Sequence, residues 1–168
     1  MILLDRDGVL NVDRADSVRS IADLEVEAGA AEGCRLLHDA GYPLVVISNQ
    51  SAVGRGWMSS DALDAVNAEL DRRLGGVIDG WFVCPHGPAD GCRCRKPNTL
   101  LLEQAQARFG FDPATTWFVV DAERDVAAAQ RFGCRPALVR TGKGAAVIAA
   151  HPDVPAFTDL AAFASSVL

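Results

Sequence analysis

The chain has 168 residues, 49% of them hydrophobic and 23% charged, with a net charge of −6. This is the composition of a folded domain with a real core rather than a disordered segment, and the acidic balance argues against a nucleic-acid surface. No apolar stretch reaches the length of a membrane span and no signal peptide is recognisable, so a cytoplasmic protein with no membrane contact is expected.

Ile2-Leu3-Leu4 is a short apolar run ending in Asp5-Arg6-Asp7-Gly8. It predicts a buried parallel strand with carboxylates at its C-terminal end, the end at which open α/β sheets bind ligands. Two carboxylates one residue apart repel unless one is protonated or a cation lies between them. Mg²⁺ would resolve the conflict, and one carboxylate could then attack phosphorus while the other moves the proton.

Asn11 to Ile21 is polar and irregular, a loop flanking that strand end. Residues 29–40 carry apolar groups near helical spacing, and Gly41 closes the helix. Pro43 to Ile47 predicts a second buried strand, ending in Ser48-Asn49-Gln50-Ser51 and followed by a loop containing Gly54, Arg55 and Gly56. Ser48 and Asn49 can offer a hydroxyl, a side-chain amide and backbone N–H groups to a phosphate. A helix is expected from Ser60 to about Leu74, with Leu63, Val66, Leu70 and Leu74 on one face.

Trp81-Phe82-Val83 predicts a third strand, and a cysteine loop follows. The five cysteines are an odd number, and three fall within residues 84–94, which points to a metal site in a reducing compartment rather than a disulfide framework. Cys84, His86, Cys92 and Cys94 are four ligands of the types zinc prefers, with no position left open, so the zinc is expected to be structural. Cys34 and Cys134 read as small buried residues, and His38 and His151 as surface groups without partners.

Arg95 and Lys96 follow directly, with Pro97 to fix the turn. Lys96 can balance phosphoryl charge, and Arg95 can fork onto an oxyanion. A fourth helix is expected from about Thr99 to Phe109, then a strand at Trp117–Val120 ending in Asp121. Asp121 would complete a metal shell. Asp125, in the next helix, could orient Lys96 or a metal-bound water, or serve only as an acid at a helix N-terminus. Pro136–Val139 predicts a fifth strand, and a short helix closes the chain after Thr158 and Asp159. Five alternations predict a three-layer, Rossmann-like parallel sheet with helices on both faces, as one domain over residues 1–168.

The motifs at Asp5-Arg6-Asp7-Gly8, Ser48-Asn49-Gln50, Arg95-Lys96-Pro97 and Asp121 with Asp125 together resemble the four motifs of the haloacid dehalogenase superfamily of aspartate-nucleophile phosphatases. The zinc loop places the resemblance among its heptose-bisphosphate and histidinol-phosphate phosphatases. Asn11-Val12-Asp13 and Ser48 through Gly56 favour the heptose branch. The resemblance implies a fold with little or no cap and Asp5 as nucleophile. Asp7 would be general acid/base, Ser48 and Lys96 would hold the phosphoryl group, and Arg95 would recognise substrate. Asp5, the Asp7 carbonyl and Asp121 would bind Mg²⁺.

It further implies that Asp13, Asp16, Asn49, Gln50, Ser51 and Arg55 bind a small phosphorylated sugar. The implied reaction is removal of the C7 phosphate of D-glycero-D-manno-heptose 1,7-bisphosphate by a monomer. Histidinol-phosphate hydrolysis and a non-catalytic phosphosugar-binding role are the alternatives. Two residues depart from the pattern: Val120 stands where glycine is usual, and Ala122 where the heptose enzymes usually carry lysine.

Overall fold

The computed structural model describes residues 1–168. Six strands form one all-parallel sheet: β1 (Ile2–Leu4), β2 (Leu44–Asn49), β3 (Gly80–Cys84), β4 (Trp117–Val120), β5 (Arg135–Val139) and β6 (Ala156–Phe157). Their order across the sheet is β3-β2-β1-β4-β5-β6. Seven helices accompany them: α1 (Ala30–Asp39), α2 (Ser51–Gly54), α3 (Ser60–Leu74), α4 (Leu100–Phe109), α5 (Glu123–Phe132), α6 (Gly144–Val147) and α7 (Leu160–Val167). No helix is long and apolar enough to cross a membrane.

The chain winds outward from β1 to β3, then returns past β1 to lay down β4, β5 and β6. The topological switch therefore lies between β1 and β4, where open sheets form their ligand crevice. Leu4 is in register with Val119, so the residues that follow these strands, Asp5 and Asp121, emerge together.

Strand side chains alternate between two cores, as the pleat requires. Leu4, Val46, Val119 and Ala137 pack with α1, α3 and α7. Leu3, Ile47, Phe118, Val120 and Leu138 pack with α4 and α5. Val120 is wholly buried in the second core, so its bulk turns into packing and away from the strand-end carboxylates. Cys34 and Cys134 occupy one core each, as expected, and burial pushes both thiols up to about 12.

The helix ends follow local chemistry. Ser59 caps α3 by accepting from Ala62 N at 3.1 Å, and Gly75 ends it in the left-handed region. Asp159 caps α7 by accepting from Ala162 N at 2.9 Å. Three elements exceed the sequence expectation: the single turns α2 and α6, and the two-residue edge strand β6. Each is too short to carry a period, and β6 exists through its pairing with β5.

Candidate active site

Asp5 and Asp121 form the floor of the crevice. Both are almost fully buried. Asp5 Oδ1 accepts from Arg6 N at 2.7 Å, while Asp5 Oδ2 and Asp121 Oδ1 have no hydrogen-bond partner. Burial first, then the neighbouring Asp125, push Asp5 up to about 8 against the pull of Lys96. Burial likewise pushes Asp121 up to about 6, although Lys143 N donates to its Oδ2 at 2.8 Å. Buried carboxylate oxygens without donors suit a hard cation. Ligand atoms from Asp5, Asp121 and Asp125 all lie within 4.8 Å of one another, and the Asp7 carbonyl has no backbone donor. The predicted Mg²⁺ residues therefore fit the ion.

Glycine is required on both sides of Asp121. Gly8 (φ 85°) and Gly142 (φ 54°) approach so closely that a Cβ on either would collide with Asp121 Oδ2. Thr141 Oγ1 donates to Gly8 O at 2.6 Å, fastening the loop after β5 to the loop after β1.

Lys96 is 1% exposed, and its ammonium has three neighbours: Ile47 O at 2.7 Å, Asp5 Oδ1 at 2.8 Å and Asp125 Oδ1 at 2.9 Å. Burial alone would lower its pKa, but Asp125 and Asp5 outweigh that and raise it. The ammonium is thus enclosed by one carbonyl, to which it donates, and two carboxylates with which it pairs. Lys96 can act on a bound oxyanion through its charge and by holding Asp5. Asp125 lies against Lys96, at the first turn of α5.

Two amides expected to meet a phosphate serve the protein itself. Asn49 Nδ2 donates to Lys96 O at 3.1 Å, and Asn49 Oδ1 accepts from Lys96 N at 3.0 Å, so the side chain clips the end of β2 to the Arg95–Pro97 loop. Gln50 Nε2 donates to Asp7 Oδ2 at 2.6 Å and to Ser48 Oγ at 2.9 Å. Ser48 accepts that bond, which leaves its own proton to donate. Side-chain bonding of this kind depends on which loop folds opposite, and a single stretch of sequence does not carry it.

Asp7 is held from three sides. Arg6 Nη2 and Asn11 Nδ2 each donate to its Oδ1 at 3.0 Å, and Gln50 takes Oδ2. Arg6 is fully buried and also donates to Asn67 Oδ1 of α3 at 2.9 Å. Burial would raise Asp7, but Arg6, Asn11 and Gln50 prevail and keep it below the usual carboxylate range. Its side chain remains 21% exposed, against 3% for Asp5. One carboxylate is thus enclosed, and the other reaches the cavity.

The cysteine loop closes on itself. Cys84 Sγ lies 3.6 Å from His86 Nδ1 and from Cys92 Sγ, and Cys94 Sγ lies 3.1 Å from both Cys84 Sγ and His86 Nδ1. Tetrahedral zinc, with bonds of about 2.0–2.3 Å, sets its ligand atoms roughly 3.3–3.8 Å apart; the two 3.6 Å separations lie in that range and the two at 3.1 Å are shorter, while three thiols and an imidazole are a donor set that zinc takes. Burial pushes Cys84 up to about 12. At Cys92 backbone and side-chain hydrogen bonds, Arg95 N–H foremost, outweigh burial and bring the thiol down to about 7. The loop is tied to the crevice: Gln50 N donates to Cys84 O, Gly54 N to Pro85 O, and Arg95 Nη1 to His86 O at 3.3 Å.

Above the floor lies a cavity of about 430 Å³. Its wall holds two carboxylates, Asp7 and Asp13, and five cations, Arg14, Arg55, Arg95, Arg124 and Lys143, together with Asn49, Gln50 and Ser51. Asp13 pairs with Lys143 Nζ at 2.6 Å. Asp16 is not part of this wall: its carboxylate is exposed and pairs with Arg14 at 3.2 Å. The sequence reading missed Trp57, Arg124 and Lys143. Trp57 stands at the rim with Arg19 and Arg55 over its ring at 4.5 and 4.9 Å. The available signal for Lys143 was Thr141-Gly-Lys-Gly144 directly after the fifth strand. His151, read as unpartnered, bonds Glu123 Oε2 at 2.7 Å across a long sequence separation.

Residues 93–162 match the HAD-hydrolase-like family model. The D-glycero-β-D-manno-heptose-1,7-bisphosphate 7-phosphatase of Neisseria meningitidis serogroup A is 40% identical over 90% of this chain and 82% of its own length. The enzyme of that name from Pseudomonas aeruginosa is 38% identical over 100% and 97%. The crystal structure of D,D-heptose 1,7-bisphosphate phosphatase from B. bronchiseptica, complexed with magnesium and phosphate, superposes with a TM-score of 0.94 at 36% identity, covering 99% of this chain and 96% of that one. A switch-point crevice floored by aspartates, a cationic cavity above it and likeness over nearly the full length agree, and the chain belongs to the heptose-bisphosphate phosphatase family of haloacid-dehalogenase-like hydrolases.

Proposed function

We propose that the protein is a Mg²⁺-dependent phosphomonoesterase working through an aspartyl phosphate, and that its substrate is D-glycero-D-manno-heptose 1,7-bisphosphate, cleaved at C7. Asp5 attacks phosphorus, forming a P–O bond as the ester P–O bond breaks. Asp7, ionised in the free protein, takes up a proton as the negative charge of the substrate enters the cavity and gives it to the departing sugar oxygen. Asp7 then takes a proton from water as the water oxygen attacks phosphorus, which frees phosphate and restores the Asp5 carboxylate. Asp5, Asp121 and the Asp7 carbonyl would hold Mg²⁺, which when bound supplies positive charge to the phosphoryl oxygens. Zinc at Cys84, His86, Cys92 and Cys94 would keep the Arg95–Lys96 loop in place.

The contrast between the two first-motif aspartates supports their division of labour. Asp5 is buried against Lys96, as suits a fixed nucleophile. Asp7 is open to the cavity and hydrogen-bonded on both oxygens, as suits a group that meets leaving group and water. Asp7 hydrogen-bonded on both oxygens and Asp5 fixed against Lys96 favour catalysis over mere phosphosugar binding.

The observation that carries the substrate choice is the cavity wall, with five cations against two carboxylates. One phosphoryl group is served by Lys96, Ser48 and the cation, so the remaining arginine forks suit a second phosphate. The amine and imidazole of histidinol phosphate would meet the same arginines unfavourably. The test is kcat/KM for the heptose bisphosphate and for histidinol phosphate, with wild type and Arg95→Ala. The bisphosphate should be preferred, and Arg95→Ala should reduce that preference roughly 10- to 100-fold, the worth of a charge-assisted fork. A preference for histidinol phosphate, or an unchanged ranking in Arg95→Ala, would refute the assignment.

A further inference from the structure

Arg124 differs from the other arginines of the site. Its side chain is only 35% exposed, yet it donates no hydrogen bond to any protein acceptor, and its Nε is buried without a partner. The nearest carboxylate oxygen, Asp125 Oδ1, is 3.7 Å from Nε, beyond hydrogen-bond reach. By contrast Arg6 is bound to Asn67 and Asp7, Arg14 to Asp16, and Arg95 to His86 O. Arg55 also lacks a hydrogen bond, but it is exposed to water. A buried guanidinium N–H without an acceptor is uncommon, because desolvating a donor without a partner is costly. Asp125, which Arg124 approaches, has a carboxylate oxygen within 4.8 Å of one of Asp5, so the group lies on the nucleophile's side of the site. It also lines the cavity that Asp7 enters.

We propose that Arg124 is a substrate-binding residue for the transferred phosphoryl group, its fork donating to two of the oxygens of a phosphate seated against Asp5. The inference rests on the phosphatase reading above and adds to it a cation for the reacting group. Lys96 is a point charge already paired with Asp5 and Asp125, whereas Arg124 offers a planar fork of donors with no protein acceptor. A lysine at position 124 would keep the charge and lose the fork.

The experiment measures two quantities for wild type, Arg124→Ala and Arg124→Lys, all loaded with Mg²⁺ and zinc. The first is the affinity for inorganic phosphate by calorimetry. The second is kcat/KM for p-nitrophenyl phosphate, which has a single phosphate, and for the heptose bisphosphate. Arg124→Ala should weaken phosphate binding by roughly 10- to 100-fold and lower kcat/KM for both esters by a similar factor, with Arg124→Lys between. Thermal melting checks that the variants are folded. Folded variants that bind phosphate as tightly as wild type overturn the proposal. So does a loss confined to the bisphosphate, which would place Arg124 on the second phosphate. A wild type that binds phosphate through Arg124 but turns over neither ester leaves the proposal standing and refutes the phosphatase reading instead.

Discussion

Two clusters of metal-ligating side chains sit at opposite extremes of how a protein can build such a site. Cys84 ends β3, and His86, Cys92 and Cys94 follow in the loop after it, partly or largely exposed. Asp5 and Asp121 come from two strands separated by most of the chain, and both are buried. Cys84 belongs to the second core and Cys92 and Cys94 pack against its edge, while His86 is exposed, so a bound ion would add order chiefly to the loop between them. The second cluster is brought together by the pairing of β1 with β4 and by two cores, and would be in place with or without an ion. In the first, metal binding would be a local folding event. In the second, folding creates charge repulsion that a bound cation would relieve.

The contrast is broken most severely at Asp5. Asp5→Asn should abolish turnover of every phosphate ester, because an amide cannot attack phosphorus, while the melting temperature stays near that of wild type. The substitution removes a buried charge that its surroundings already resist. Steady-state kinetics and a thermal melt together check this, and residual activity near wild type would exclude Asp5 as the nucleophile.

Cys94→Ser should reverse that pattern. The ion's contribution is large, roughly 10–16 kcal/mol in small finger peptides, but it falls on one loop. Zinc content, read by elemental analysis, should drop from one per chain to a small fraction. Activity should fall as Arg95 and Lys96 lose their support, while amide exchange shows opening confined to the loop and a protected sheet. Global unfolding would mean that the cluster, and not the cores, organises the fold.

The smallest effect concerns pH. In the cation-free protein Asp5 is raised to about 8 and Asp121 to about 6, both above their values in the unfolded chain. Their protonated forms favour folding fully below about pH 4, and that contribution is lost as pH rises through about 6 and then 8. Mg²⁺ favours the ionised forms. The rise in melting temperature on adding Mg²⁺ should therefore be at least about 3 °C greater at pH 8 than at pH 5. Asp7, lowered by its partners, titrates below this window and does not contribute to it. An increment that is flat with pH would remove buried carboxylates as the source of the cation site.

The difference between the clusters also governs what could be read from sequence. The zinc-type loop was legible because all its ligands share one short stretch. The strand-end aspartates were legible because apolar runs announce parallel strands and topology gathers their ends. The roles of Asn49 and Gln50 were not, since an amide that clips Lys96 or steadies Asp7 looks the same in sequence as one that waits for a phosphate. Arg124 and Lys143 were missed for a related reason: surface-type residues at a helix start and in a glycine loop enter the site only through the path of the backbone. Val120, a departure from the family pattern, proves to face the second core, which the alternation along β4 allowed but did not single out.

The central claim is that a preformed carboxylate at the switch point becomes phosphorylated. Its most direct test is acid quench of the Mg²⁺-loaded enzyme during turnover, followed by borohydride reduction and peptide mass analysis. An aspartyl phosphate is reduced to homoserine. The expected result is homoserine at position 5 alone, dependent on substrate. Its absence under conditions of full turnover, or its appearance at Asp7 or Asp121, would contradict the assignment of Asp5.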